Sequence, residues 1–208
     1  MSIAERSTYL SGLCDLLKTH WPENRTVNIV CHGHSVPAGY FATPMVDTLN
    51  AYPHLLLAGL KHRFPFAVIN VIVTAIGGEN SRSGADRFER DVLSLRPDLI
   101  TLDYGLNDRG IGLDNARAAW SRMIEAGLAS GAKILLLTPT PDVTQFPGYK
   151  GENKELLGEH AEQIRSLAAR YDIGLADSLL VCLRYCATGD ISDILSWRNH
   201  PNRKGHEI

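Results

Sequence analysis

A serine hydroxyl becomes a nucleophile only where a base can take its proton and the chain holds it clear of its neighbours. Ser35 is a candidate for that role. It follows the apolar run Val27-Asn28-Ile29-Val30-Cys31 and lies in "CHGHSVPAGY", where Gly33, Pro37 and Gly39 mark a chain reversal. A strand that ends in such a turn can point the hydroxyl out above a sheet edge, although the same composition suits an ordinary loop serine. The chain has eight histidines from which a base could come. His32 and His34 flank the serine, but adjacent loop residues rarely aim at one another, and a base commonly comes from another element. The C-terminal "NHPNRKGH" offers His200 and His206, with Pro201 stiffening the segment.

Acyl transfer also needs hydrogen-bond donors where negative charge develops. A backbone N–H beside a glycine is open to close approach, which points to Gly78. The Asn107 carboxamide and the Ser35 amide are further candidates. Removing one such donor costs about 100- to 1000-fold in turnover. For Asn107 the competing reading is an Asx turn or helix cap, for Asp108 a cap or loop-organising group, and for Asp177 the cap of the helix after it. Tyr40, Phe41 and Phe146 are candidates to line an acyl or sugar pocket or to sit in the core, and Arg109 to meet an anionic group.

Positioning these residues requires a sheet. Segments 27–31, 67–73, 98–103, 133–138 and 173–176 are apolar almost throughout, as in a parallel sheet buried on both faces. Between them, 84–94, 113–130 and 153–171 show helical patterning, and Leu10, Leu13, Leu16 and Leu17 predict a leading helix within Ser7 to Trp21. Gly131 is placed to end the helix over 113–130. Alternating strands and helices predict an α/β fold, a three-layer α/β/α sandwich. Ser35, Gly77-Gly78 and "YGLND" (104–108) then follow successive strands and open on one sheet edge. The irregular stretch 138–151 follows the fourth strand at the same edge.

At 208 residues, with 44% hydrophobic and 21% charged residues, the chain reads as one domain, 1–208, with residues 1–22 carrying the leading helix. Its last helix is expected to be short or truncated. A net charge of −2 gives no reason to expect nucleic acid or an anionic membrane as partner. The N-terminus has no secretory h-region and no stretch is long enough to span a bilayer. Cys14, Cys31, Cys182 and Cys186 lack metal-motif spacing and read as reduced thiols, so the expected location is the cytoplasm and no metal is expected.

"GHS" with Gly39 after the first strand, a glycine after the second, "GLND" after the third and "HPN..GH" at the end resemble, in order, the blocks of the SGNH (GDSL-type) hydrolases, a lipase and acylhydrolase family. The resemblance runs from Val27 to His206. It implies a flavodoxin-like five-stranded parallel sheet of order 2-1-3-4-5 and a serine esterase that needs no metal or organic cofactor. Position by position, it implies Ser35 as nucleophile, His200 as base, and Gly78 and Asn107 with the Ser35 amide as oxyanion hole. Its expected partner is a small-molecule ester with a short acyl chain, O-acetyl groups on sugars among them; the oligomeric state is not implied.

Three positions depart from the family pattern. The usual Asp before the serine is His34, the second block reads "VTAIGG" without the common Asn, and the acid expected three residues before the histidine is Trp197. The imidazole still needs an acceptor at Nδ1. The backbone carbonyl of Trp197 is the expected substitute, with Asp193 as the alternative. The rival functions are a catalytically impaired ligand-binding protein on the same fold and a flavodoxin-like nucleotide binder. The second is disfavoured by the lack of a phosphate-cradling glycine motif after the first strand.

Overall fold

The computed structural model describes residues 2–146, 148–151 and 155–208. Its elements run α1 (Ser11–Lys18), β1 (Thr26–Gly33), α2 (Ser35–Ala38), α3 (Tyr52–Arg63), β2 (Val68–Val73), α4 (Ser81–Asp86), α5 (Phe88–Asp91), β3 (Leu99–Asp103), α6 (Leu113–Ala129), β4 (Lys133–Leu137), α7 (Leu156–Tyr171), β5 (Gly174–Ala176), α8 (Ser178–Cys186) and α9 (Arg203–Glu207). The five strands are all parallel, in the order β2-β1-β3-β4-β5. Helices cover both faces, giving the three-layer α/β/α sandwich that the strand spacing predicts.

The apolar strands have two buried faces to fill. Val30, Ile100, Leu102, Ile134 and Leu136 pack in one core with Trp120, Met123 and Ile124 of α6 and Ile164 and Leu167 of α7. On the opposite face Val27, Ile29, Cys31 and Leu99 meet Leu17 of α1 and Phe64. This alternation explains why each strand reads as continuously apolar. In register, Gly33 of β1 lies beside Asp103 of β3. Both strands therefore end at the same level, and the chain leaves them in opposite directions along the sheet: β1 leads to β2, β3 to β4. That switch point is where open α/β sheets form a crevice.

Several helices differ from their predicted extents. The segment 84–94 is two short helices, α4 and α5, broken at Arg87, followed by a 3-10 turn at Leu93–Leu95. The leading helix is only Ser11–Lys18. The described part of the helix predicted over 153–171 begins at Leu156, and Asn153 and Lys154 lie outside the described residues. Gly131, at φ 87°, does follow the end of α6, and Asp177 caps α8 by accepting a hydrogen bond from the Leu180 amide at 3.3 Å. The last helix, α9, spans five residues. No helix among the described residues is long and apolar enough to cross a membrane.

Candidate active site

The turn that carries Ser35 is forced by close packing. A Cβ on Gly33 would stand 2.5 Å from the Asp103 carbonyl oxygen and 2.8 Å from Pro37 Cγ, so only glycine lets β1 end this close to β3. The His34 amide then donates to the Asp103 carbonyl (3.1 Å), and one helical turn, α2, starts at Ser35. His34 Nδ1 accepts the Val36 amide at 3.2 Å, so the imidazole caps the turn. Its Nε2 lies 3.3 Å from Asp103 Oδ1 but off the line of a hydrogen bond. Gly39, at φ 87°, ends the turn, and the chain folds back with Tyr40 bridged to Val46.

His200 arrives from the other end of the chain on a pinned loop. Leu195 and Pro201 form an antiparallel bridge, and the Ser196 amide and hydroxyl both donate to the His200 carbonyl (2.9 and 3.0 Å). The Val143 amide donates to the Arg198 carbonyl at 2.8 Å, fastening this loop to the one after β4. Asn202 caps α9 through the Gly205 amide (3.0 Å) and donates to the Asp193 carbonyl (2.9 Å). So held, His200 places Nε2 2.9 Å from Ser35 Oγ and Nδ1 2.9 Å from the Phe41 carbonyl oxygen. A carbonyl can only accept, so Nδ1 carries the proton and Nε2 is the free acceptor for the serine O–H.

The acceptor at Nδ1 corrects the expectation from the sequence. It is neither the Trp197 carbonyl nor Asp193. The imidazole reaches away from its own loop, across to the segment after α2, while the Trp197 residue is 63% exposed. Asp193 is engaged elsewhere, accepting the Tyr185 hydroxyl at 2.9 Å. Phe41, singled out for its ring, contributes its backbone instead. No residue-type signal marks such an acceptor, because any residue has a carbonyl.

The loop after β2 is tied to the serine from below. The Ile76 amide donates to the Gly33 carbonyl (3.0 Å), and Gly77 lies against the Tyr40 ring. Gly78, at φ 80°, has open space around it. Asn107 Nδ2 donates to the Glu79 carbonyl at 2.9 Å, which sets its carboxamide one residue from Gly78 and leaves its second N–H unspent. Among the described residues, the Ser35 and Gly78 amides likewise have no protein acceptor. Three free N–H groups therefore belong to loops that converge at this edge.

Asp108 organises the surroundings from a fully buried position. It accepts the Ser81 amide (2.8 Å) and Trp120 Nε1 (2.6 Å), and burial pushes its carboxyl up against the opposing pull of those bonds. Glu79 accepts Arg87 Nε (2.8 Å) and the Tyr104 hydroxyl (3.1 Å), bracing the same loop. Arg109 is bound to Asp142 (2.7 Å) and to the Leu106 carbonyl, so its charge is already matched. Phe146 packs against the Cys182 and Ile191 core.

Burial lowers the His200 pKa below the ordinary 6.5; the Phe41 hydrogen bond opposes this, and charge on His34 would reinforce it. No carboxylate contributes. His206 is neutral for the same reason of burial, lowered to about 4, and its Nδ1 accepts the Tyr52 amide at 3.3 Å. It is therefore a packing residue beside the site. His32 is also lowered by burial to about 4, with Nδ1 on Thr74 and Nε2 on the Gly84 carbonyl. All four cysteines are free, and no group of three metal-ligating side chains occurs among the described residues.

A parallel 2-1-3-4-5 sheet with a serine and a histidine paired at its carboxyl edge is the arrangement of the SGNH hydrolases. The chain belongs to the GDSL-like Lipase/Acylhydrolase family, which matches residues 31–208, and is by that membership a serine ester hydrolase. Among solved structures it is similar to Axe2, an acetylxylan esterase from Geobacillus stearothermophilus (19% identity, TM-score 0.75, covering 87% of this chain and 89% of that one). It is also similar to LAE5, an alpha/beta hydrolase enzyme from the metagenome of Lake Arreo, Spain (21% identity, TM-score 0.72, covering 87% and 90%). Variants of Axe2 described as catalytic mutants replace a serine, an aspartate and a histidine, the aspartate three positions before the histidine. No curated protein matches this sequence.

Proposed function

We propose that this protein hydrolyses short-chain carboxylic esters through an acyl-enzyme on Ser35, with His200 as the base and a backbone carbonyl in place of the triad acid. The observation that carries the reading is the His200 bridge: Nε2 on Ser35 Oγ and Nδ1 on the Phe41 carbonyl, both at 2.9 Å. Ser35 Oγ attacks the ester carbonyl carbon while Nε2 takes its proton. The carbonyl π pair moves to oxygen, and the free N–H groups of Ser35, Gly78 and Asn107 stabilise that oxyanion. Collapse breaks the bond to the alcohol oxygen, which leaves with the proton from Nε2. Water then repeats the sequence on the acyl-enzyme, releasing the carboxylic acid and restoring Ser35.

Phe41 serves His200 without a charge. It fixes the tautomer and accepts from the imidazolium as it forms, which are the steering roles an acid would perform. The Tyr40 ring lies beside His200, and the likeness to Axe2, an acetylxylan esterase, makes O-acetylated saccharides the first natural substrates to test. An acid-quenched reaction with p-nitrophenyl acetate tests the chemistry. Mass spectrometry should find one acetyl group, on the peptide that holds Ser35; turnover with acetylation at another residue would refute the assignment.

A further inference from the structure

Tyr40 stands at the junction of the dyad and the oxyanion loop. Its ring centroid is 6.0 Å from that of His200, tilted by 35°. On its other side the ring lies against Gly77: a Cβ there would stand 2.8 Å from Tyr40 Cε2 and Cζ and 3.0 Å from its hydroxyl oxygen. The phenol is thus fixed beside the peptide that leads into Gly78, whose N–H is free. Backbone bonds hold the residue in place, since the Tyr40 amide donates to the Ser35 carbonyl at 3.0 Å and Tyr40 pairs with Val46. Of the six other tyrosines, all but Tyr149 in the loop after β4 spend their hydroxyls on protein partners: Tyr9 on the Ile134 backbone, Tyr52 on Thr101, Tyr104 on Glu79, Tyr171 on Glu125 and Tyr185 on Asp193. Among the described residues, the Tyr40 hydroxyl has none.

We propose that Tyr40 is a catalytic residue whose hydroxyl donates a hydrogen bond to the oxyanion of the bound ester, beside the Gly78 amide. The inference rests on the Ser35 acyl-enzyme reading above. A preorganised phenol costs no reorganisation at the moment charge develops, and a hydrogen bond to a charged oxygen is worth more than one to the neutral ester. It also bears on the absent triad acid, because a further donor to the oxyanion raises the rate without requiring a more basic His200.

The test is Tyr40→Phe, which keeps the ring against Gly77 and His200 and deletes only the hydroxyl. With p-nitrophenyl acetate, kcat should fall about tenfold or more while KM stays within about threefold, as for loss of an interaction made in the transition state. An unchanged thermal midpoint would confirm that packing is intact. A kcat within about twofold of wild type would overturn the proposal. The second arm is the rate at which diethyl p-nitrophenyl phosphate phosphorylates Ser35, followed by mass spectrometry: Oγ attacks phosphorus, p-nitrophenolate leaves, and His200 takes the proton. That rate should fall by a similar factor in Tyr40→Phe, and equal rates in the two proteins would also overturn the proposal. Should wild type label at Ser35 yet hydrolyse no ester, the ester-hydrolase reading fails separately, and the labelling ratio still decides the role of Tyr40.

Discussion

In the proposed dyad a carbonyl stands in place of a triad carboxylate, and that changes what His200 can do. A carboxylate next to an imidazole raises its pKa, whereas His200 has burial, which lowers it, and the weaker help of the Phe41 carbonyl. The base works only when neutral. With a pKa below 6.5 it stays neutral into mildly acidic solution, so the acid limb of kcat/KM should fall with a midpoint below pH 6.5. A midpoint above 7 would mean that a carboxylate does reach the ring in solution. Asp193 is the nearest alternative in the sequence, and its side chain is committed to Tyr185. Asp193→Asn should therefore leave kcat/KM within a few-fold of wild type, and a loss of several orders of magnitude would contradict the backbone-supported dyad. In the proposed oxyanion hole, Asn107→Ala removes one of the three N–H donors and should lower kcat by about 100- to 1000-fold with little change in KM.

Elements carry these residues to one place, and their legibility in the sequence varies for physical reasons. The strands were readable because burial on both faces leaves few positions for polar residues. Ser35, Gly78 and Asn107 stood out as candidates because each follows a strand in a turn-rich segment. By contrast, α3 shows no clean apolar stripe: Leu55, Leu56 and Leu57 are consecutive and only partly buried. The break at Arg87 was hidden because α4 and α5 together have helical composition; at the break the Arg87 guanidinium reaches both Glu79 and Asp91. The Phe41 carbonyl was hidden for a deeper reason, since a main-chain acceptor 159 positions from His200 leaves no trace in residue type.

The approach of α4 to β3 gives an element-scale prediction. A Cβ on Gly84 would collide with the hydroxyl and ring of Tyr104, a fully buried side chain hydrogen-bonded to Glu79. The ring has nowhere to move, so Gly84→Ala should lower stability by about 1–3 kcal/mol, the usual cost of overpacking. Because Glu79 braces the loop that carries Gly78, kcat should fall with it. A thermal midpoint equal to that of wild type would show that α4 sits less tightly than described.

Over the whole molecule, the buried histidines couple stability to pH. His32 and His206 are each lowered by burial to about 4, against 6.5 for an exposed imidazole. Between those values the unfolded chain binds more protons than the folded one, so stability rises with pH across that window. It is fully present above pH 6.5 and is lost as the pH falls toward 4. Thermal midpoints measured from pH 7 down to pH 4 should decline progressively below 6.5, and a flat profile would mean that these imidazoles are hydrated in the folded state. Within that window the decline in stability overlaps the loss of His200 as a base. Activity should therefore be measured over short times at each pH, to separate titration from unfolding.

The central claim is that Ser35 is the nucleophile, and it is tested most directly by hydrolysis of p-nitrophenyl acetate by wild type and Ser35→Ala at the same enzyme concentration and pH. The account predicts turnover in the wild type and a loss of at least about a thousandfold in the variant, with the thermal midpoint preserved. Equal rates in the two proteins would contradict it. The pairing of Ser35 with His200 would then be a hydrogen bond of structure alone.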